Sequence, residues 1–393
     1  MALHRLRKTS PGNKSIVGHS SIWSPTRFSA RQYGLVVLGL LVIAGGILLF
    51  AASSTPFASL NADQGILANG VTVQSSSAAS DGKYVQFGST SGGGTANCTK
   101  TLSPGADIAS AESTASAGAV ICLNPGTYSG FTLRQSNGTA AAPITITSAT
   151  TTNPALISGR TVTEGTASYL TISHLKFQYT AGSDPDTVVL GTPHVNFVHN
   201  DVSGADQTIC INGVSYNGST VSYNLIDHNT VHDCKPTAGG IANQIQGIYM
   251  LGGPGDVISN NWCWAVSARC YQVRGEQGGS WHNNVADQAG QGWIFGDVGA
   301  AHNNVYNNIV GTMLGNDANG PYSAFEFNSS GTGNSFHDNC VSIAPVLSSV
   351  AQSNNTIVKV QFVDAANHNY NLTTASINDP CRSYAVQGGN PGP

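Results

Sequence analysis

Six segments of this chain share one pattern: VNFVHNDVSG (195–204), YNLIDHNTVHD (223–233), DVISNNWCWAV (256–266), GSWHNNVADQ (279–288), NNVYNNIVGT (303–312) and NSFHDNCVSI (334–343). Each sets an apolar residue, one or two polar residues, an asparagine and a second apolar residue in that order. The aligned asparagines Asn200, Asn229, Asn261, Asn284, Asn308 and Asn339 are spaced 29, 32, 23, 24 and 31 residues apart. A period of this size signals stacked units, each unable to bury its apolar face alone. The shortest spacing fits a coil of three short strands with tight turns, and the longer ones add loops. Six asparagines at one repeat position read as a ladder of stacked amides that serves the turns.

A second kind of strand alternates with the first. GIYMLG (247–252), YQVRGE (271–276), GWIFGD (292–297) and AFEFNS (324–329) stack one per repeat. Side chains alternate across a strand. Ile248, Tyr271, Trp293 and Phe325 are therefore expected inside, with Met250, Val273, Phe295 and Phe327. Tyr249, Gln272, Ile294 and Glu326 are expected outside, followed by Leu251, Arg274, Gly296 and Asn328. No recurring leucine pattern supports a leucine-rich repeat. Short strands, polar turns and stackable residues suit a parallel β-helix, in which successive coils lie about 4.8 Å apart.

The eight cysteines, Cys98, Cys122, Cys210, Cys234, Cys263, Cys270, Cys340 and Cys381, follow no zinc-binding spacing. An even count favours disulfides. Cys98 and Cys122 are 24 residues apart, as are Cys210 and Cys234. At one repeat length, both pairs are expected to bridge neighbouring coils. Cys263–Cys270 is expected to close a small loop and Cys340–Cys381 to tie down the C-terminal end.

Charge is distributed unevenly. Arg5, Arg7, Lys8, Lys14, Arg27 and Arg31 all precede residue 32, and the first acid is Asp63. The uncharged run 34–52 has 19 residues, long enough to span a bilayer as a helix. Basic residues before it place the N-terminus in the cytoplasm. The expectation is a single-pass plasma-membrane anchor, with secretion after cleavage near FAAS (50–53) as the alternative. The organisation then reads as a basic cytoplasmic segment (1–33), a transmembrane helix (34–52), a flexible stalk rich in Ser, Ala and Gly (53–95), a β-helix (96–382) and a tail (383–393). Removing the six N-terminal cations from 16 Lys/Arg leaves 10 against 20 Asp/Glu. That balance gives no support for nucleic-acid binding, and no nucleotide-binding motif is present.

AGAVICLNPGTYSGFTLRQSNGTAAAPITITS (117–148) resembles the opening coils of pectate-lyase-like, right-handed parallel β-helix proteins. FVDAANHNYNLTTAS (362–376) resembles the segment that closes that domain. The resemblance spans roughly residues 96–380. It implies an all-β, right-handed, single-stranded parallel β-helix with an N-terminal cap helix near 106–117, preceded here by the transmembrane helix. It also implies a carbohydrate-directed protein whose partner is an extracellular polysaccharide or cell-envelope glycan.

Candidate chemistry follows the same resemblance. YQVRGEQGGSWHNNV resembles the arginine-bearing coil of alginate-lyase- and chondroitinase-like enzymes, so Arg274 would neutralise a uronate carboxylate. The lysine base expected one coil earlier is replaced by Met250 and Leu251. Lys235 and His232, in HNTVHDCK (228–235), are the alternative bases. Glu276, Asp297 and Glu326 fall on successive coils, and two of the three could supply the carboxylate pair that hydrolysis needs. The paired-aspartate and GHG signatures of polygalacturonases are absent. Tyr249, Gln272 and Asn328 are candidate substrate contacts; Trp262, Trp264 and Trp281 also lie in the repeat, where most aromatics are expected as core stacks filling the coil. SDPD (183–186) makes Asp184 and Asp186 candidate ligands for Ca²⁺, the one cofactor the pattern suggests. The functional expectation is a lyase or epimerase acting on uronic-acid glycans. The alternative is a non-catalytic adhesive or structural cell-surface protein.

Overall fold

The computed structural model describes residues 97–179, 186–205, 209–215, 220–235, 245–296, 299–315, 323–327, 331–345 and 350–373, together with the backbone of strands Val71–Ser75 and Lys83–Phe87. These two strands pair antiparallel within the unit Met1–Thr90. They fall in the stretch expected as a stalk with a short ordered part at KYVQFGS, and Lys83–Phe87 lies in that part. The expected transmembrane run lies outside the described residues, and no described helix is long and apolar enough to cross a membrane.

The second unit, Ser91–Pro393, is a parallel β-helix. Among the described residues its strands form three parallel sheets of eleven, ten and eight strands. The chain visits the first, second and third sheets in turn and then returns to the first. Leu225–Asp227, Thr230–Lys235 and Gln246–Pro254 make one such coil, and Val257–Ser259, Trp262–Trp264 and Arg269–Gln277 make the next.

The asparagines explain the first corner of every coil. The residue before each one has a left-handed backbone: His199, His228, Asn260, Asn283, Asn307 and Asp338 have φ between 52° and 57°. This conformation costs an L-residue roughly 1–2 kcal/mol. It turns the following asparagine inward, where its amide is fully used. Asn229 Nδ2 donates to Asn261 Oδ1 at 2.9 Å and to the Phe197 carbonyl at 2.8 Å, while the Asn229 N–H also donates to Asn261 Oδ1. The same bonds run through Asn200, Asn261, Asn284, Asn308 and Asn339 and end on Asn355. Leu175 takes the corresponding position one coil before Asn200 and donates its N–H to Asn200 Oδ1.

Inside the coils the stacks match the alternation. Ile248, Tyr271, Trp293 and Phe325 are in register and buried, as are Met250, Val273, Phe295 and Phe327. The N-terminal end is closed by helix Ile108–Ser113, shorter than the expected 106–117. Asp107 Oδ1 caps it by accepting the Ser110 N–H at 2.9 Å. Ile108 and Ala111 join the core cluster with Leu102 and Ile121.

Disulfides join Cys98 to Cys122, Cys210 to Cys234 and Cys263 to Cys270. Cys210 lies on a third-sheet strand and Cys234 on the second-sheet strand of the following coil, so this bridge crosses a corner and does not run straight up one sheet. Cys263–Cys270 ties the second sheet to the third within one coil. Cys340 is disulfide-bonded, and its expected partner Cys381 lies outside the described residues. Three disulfides mark a protein that folds outside the reducing cytoplasm.

The closing segment forms an antiparallel hairpin, Phe362–Asp364 with Asn369–Leu372. Tyr370 meets Trp262 edge-on at 5.2 Å, and His368 stacks on Trp264 at 4.4 Å. The two tryptophans are buried beneath these residues, and Trp281 is buried inside the coil. All three are therefore core residues, as expected for most aromatics of the repeat, and none is an exposed sugar platform.

Candidate functional site

Four of the expected site residues share the outer face of the third sheet. Asn212, Tyr249, Gln272, Ile294 and Glu326 are register partners on successive coils. Arg274 lies two residues beyond Gln272 on the same side of its strand. Its stem runs over Gly296, where an added Cβ would come within 3.3 Å of Arg274 Cγ. A parallel row holds Asp186, Ile209, Gln246, Arg269 and Gln291.

This face is polar and its members are tied across coils. Arg269 Nε donates to Gln291 Oε1 at 3.3 Å, and Gln291 Nε2 donates to Glu326 Oε2 and Ser323 Oγ, both at 2.9 Å. Asn212 Nδ2 donates to Asp186 Oδ2 at 3.0 Å. Two buried amide oxygens, Asn212 Oδ1 and Gln272 Oε1, accept no hydrogen bond among the described residues. Gln272, Arg274, Arg269 and Glu326 are half-buried, whereas Tyr249 is 9% exposed and so largely covered. Asp186 is engaged by Asn212, and no group of three or more metal-ligating side chains occurs among the described residues. Asp184, Asp297 and Asn328 lie outside the described residues.

Glu276 departs from expectation. Alternation places it outward, but it is fully buried in the corner between the third and first sheets. The reason is local: Gly279 leaves that corner without a side chain, and the Glu276 carboxyl fills the space. Burial and the neighbouring Asp256 push the Glu276 carboxyl well above the usual range, and burial pushes Asp256 up to about 6.

His232 and Lys235 belong to another surface, the outer side of the second sheet. His232 Nε2 lies 2.7 Å from Asp201 Oδ1 and Nδ1 lies 2.9 Å from Asp233 Oδ2. Burial alone would lower the histidine pKa, but these carboxylates outweigh it and hold it above 6.5. With both nitrogens donating, the imidazolium has no lone pair to accept a proton. Lys235 Nζ pairs with Asp233 Oδ1 at 2.9 Å. The His232 ring also stacks on Trp264 at 4.8 Å. The structure thus gathers Tyr249, Gln272, Arg274 and Glu326 on one face and separates both expected bases from them.

The sequence reading passed over Asn212 and Gln291, and assigned no role to Arg269. Their only signal is their place in the stacked strands, two residues or one coil from residues already singled out.

No protein-family model matches the chain, and no curated protein matches it. Solved structures do match. An alginate lyase from Paenibacillus sp. str. FPU-7 aligns over 67% of this chain and 100% of its own, at 18% identity and a TM-score of 0.41. The pectate lyase Pel9A aligns over 75% and 86%, at 14% identity and a TM-score of 0.48. The pectin methylesterase of Aspergillus niger aligns over 74% and 96%, at 11% identity and a TM-score of 0.40. The protein's own strand register establishes its class, a parallel β-helix with three parallel sheets.

Proposed function

We propose that the outer face of the third sheet binds an extended acidic carbohydrate, and that the protein presents this face outside the cytoplasm from an N-terminal membrane anchor (34–52). The observation that carries the reading is the mixture of groups on one face. Arg269 and Arg274 supply cations suited to carboxylates, and the half-buried Gln272 beside them offers an amide to sugar hydroxyls. Arginine matches a carboxylate with two parallel N–H groups.

Binding without turnover is the form that the geometry supports best, because both expected bases stand on another sheet and are bonded to carboxylates. One observation favours lyase or epimerase chemistry as a second reading. Arg274 and the carboxylate Glu326 share the face, so a neutralising cation and a base occur on one surface.

Alginate and pectate, specified by the names of two compared structures, are the polymers to try first. The purified protein is incubated with each, and with neutral glucans, with and without Ca²⁺. Binding and the ultraviolet absorbance of unsaturated product are followed together. Binding to a uronate polymer without product supports the proposal, and product formation selects the second reading. Absence of binding to every acidic glycan overturns both. Membrane fractionation of expressing cells tests the anchor, since recovery in the soluble extracellular fraction indicates cleavage.

A further inference from the structure

A second amide row runs up the corner between the third and first sheets. Asn224 Oδ1 accepts the Val195 N–H at 2.8 Å, and Asn303 Oδ1 accepts the Gly279 N–H at 2.8 Å. Asn334 Oδ1 accepts both the Asn303 N–H and the Asn303 side-chain amide, each at 3.0 Å. The register of the following strands sets Asn224, Asp256, Gly279, Asn303 and Asn334 at one position on successive coils.

Two rungs depart from asparagine. Asp256 Oδ1 performs the ordinary task of accepting the Asn224 N–H, at 2.7 Å. Gly279 offers no side chain, and Glu276 reaches into its place so that Oε1 accepts the Asp256 N–H at 3.2 Å. A Cβ on Gly279 would fall 2.6 Å from that oxygen, so the glycine and the glutamate together make one rung.

In the regular rung a side-chain N–H closes the step, as Asn303 Nδ2 does on Asn334 Oδ1. Between Asp256 and Glu276 only carboxyl oxygens remain for that task. Asp256 Oδ2 and Glu276 Oε2 receive no N–H or O–H donor among the described residues, and both side chains are fully buried. The elements packed around them present the amides of Asn224 and Asn303 and the backbone of Gly279. Among the described residues, no charged or titratable group besides the two partners acts on either carboxyl. Two ionised carboxylates would therefore face one another in a fully buried corner, an arrangement in which only one ionises.

We infer that Asp256 and Glu276 share one proton, carried by Glu276 and donated to Asp256 Oδ2, and that this proton is a structural rung joining adjacent coils. It replaces the missing amide hydrogen. It also makes the corner sensitive to pH, independently of any ligand on the third sheet. The folded protein holds this proton more tightly than the unfolded chain does. Its stabilising effect is complete below the ordinary carboxyl range and declines as pH rises through the folded pKa values.

The test uses the full chain at pH 5–9, compared with Glu276→Gln and Asp256→Asn, either of which supplies an amide N–H to the step. Wild type is expected to lose several degrees of melting temperature as pH rises, and each variant is expected to flatten that slope. At neutral pH the infrared carbonyl band of a protonated carboxyl is expected in wild type and lost in both variants. Absence of that band in wild type overturns the inference, even if a variant fails to fold. Equal pH slopes in all three proteins overturn it too. So does stabilisation of wild type alone by Ca²⁺ or K⁺ at fixed pH, which would place a cation between the carboxylates.

Discussion

The ring of Tyr271 lies on that of Trp293, with centroids 4.1 Å apart and planes 15° from parallel. Trp293 in turn tilts onto Phe325 at 5.0 Å. Both contacts join residues in the same row of successive coils, so the interior here is a column of rings. Replacing Trp293 with alanine leaves a void between two coils that short strands cannot close. The expected cost is about 3–5 kcal/mol. Denaturant unfolding monitored by circular dichroism measures it, and a loss under about 1 kcal/mol would show that the coils collapse around the gap.

Asn284 occupies the middle of the first-corner ladder. Its Oδ1 accepts two bonds from Asn261, and its Nδ2 donates to the Ile258 carbonyl and Asn308 Oδ1. Alanine at this site strands several buried polar partners at once. Because each unsatisfied group costs about 1–3 kcal/mol, Asn284→Ala is expected to destabilise the protein as severely as the loss of Trp293. Asn284→Asp keeps the acceptor but removes the donor and places a charge in the column, so it should not rescue stability at neutral pH. Melting temperatures of both variants decide the point.

The ladder was legible because repetition exposes it: Asn308 acquires meaning only when aligned with Asn284 and Asn339. The inner and outer rows of the third sheet were legible for a similar reason, since alternation has a fixed period. Glu276 was not, because its position depends on an absence at Gly279 three residues later. The ion pairing of His232 was not legible either, because Asp201, its decisive partner, lies 31 residues away on the preceding coil. Nothing local shows that the tryptophans at 262 and 264 are covered by a hairpin near residue 370. Sequence pattern reports what recurs along the coil. It does not report what one coil lends to another or what the chain end folds over.

The Asp201–His232 pair gives a pH dependence opposite in sign at its two limits. Burial would raise the Asp201 pKa, but His232 and Lys176 hold it below 3.8. Its contribution is present above that value and is lost as pH falls through the folded pKa. The His232 pKa stands above 6.5, so its contribution is complete below 6.5 and is lost as pH rises through the folded pKa. Nuclear magnetic resonance titration of the imidazole protons should show His232 titrating above 6.5, and Asp201→Asn should lower its pKa. A titration of His232 at or below 6.5 in the native protein would contradict the clamp.

Arg274 separates a binding face from a merely polar one. If its guanidinium receives a glycan carboxylate, Arg274→Ala should weaken binding to a uronate polymer at least tenfold, about 1.4 kcal/mol, while melting temperature changes little. Arg274→Lys should restore only part of the affinity, because an ammonium cannot supply two parallel donors. Binding should also fall with added salt, as expected for a half-exposed cation. Gln272→Ala removes an acceptor for hydroxyls without altering charge, so it should weaken acidic and neutral forms of the same sugar alike. Titration calorimetry with matched uronate and neutral oligosaccharides distinguishes the two contributions. Equal losses for both ligands in Arg274→Ala would mean that the arginine only shapes the face, and that carboxylate recognition lies elsewhere.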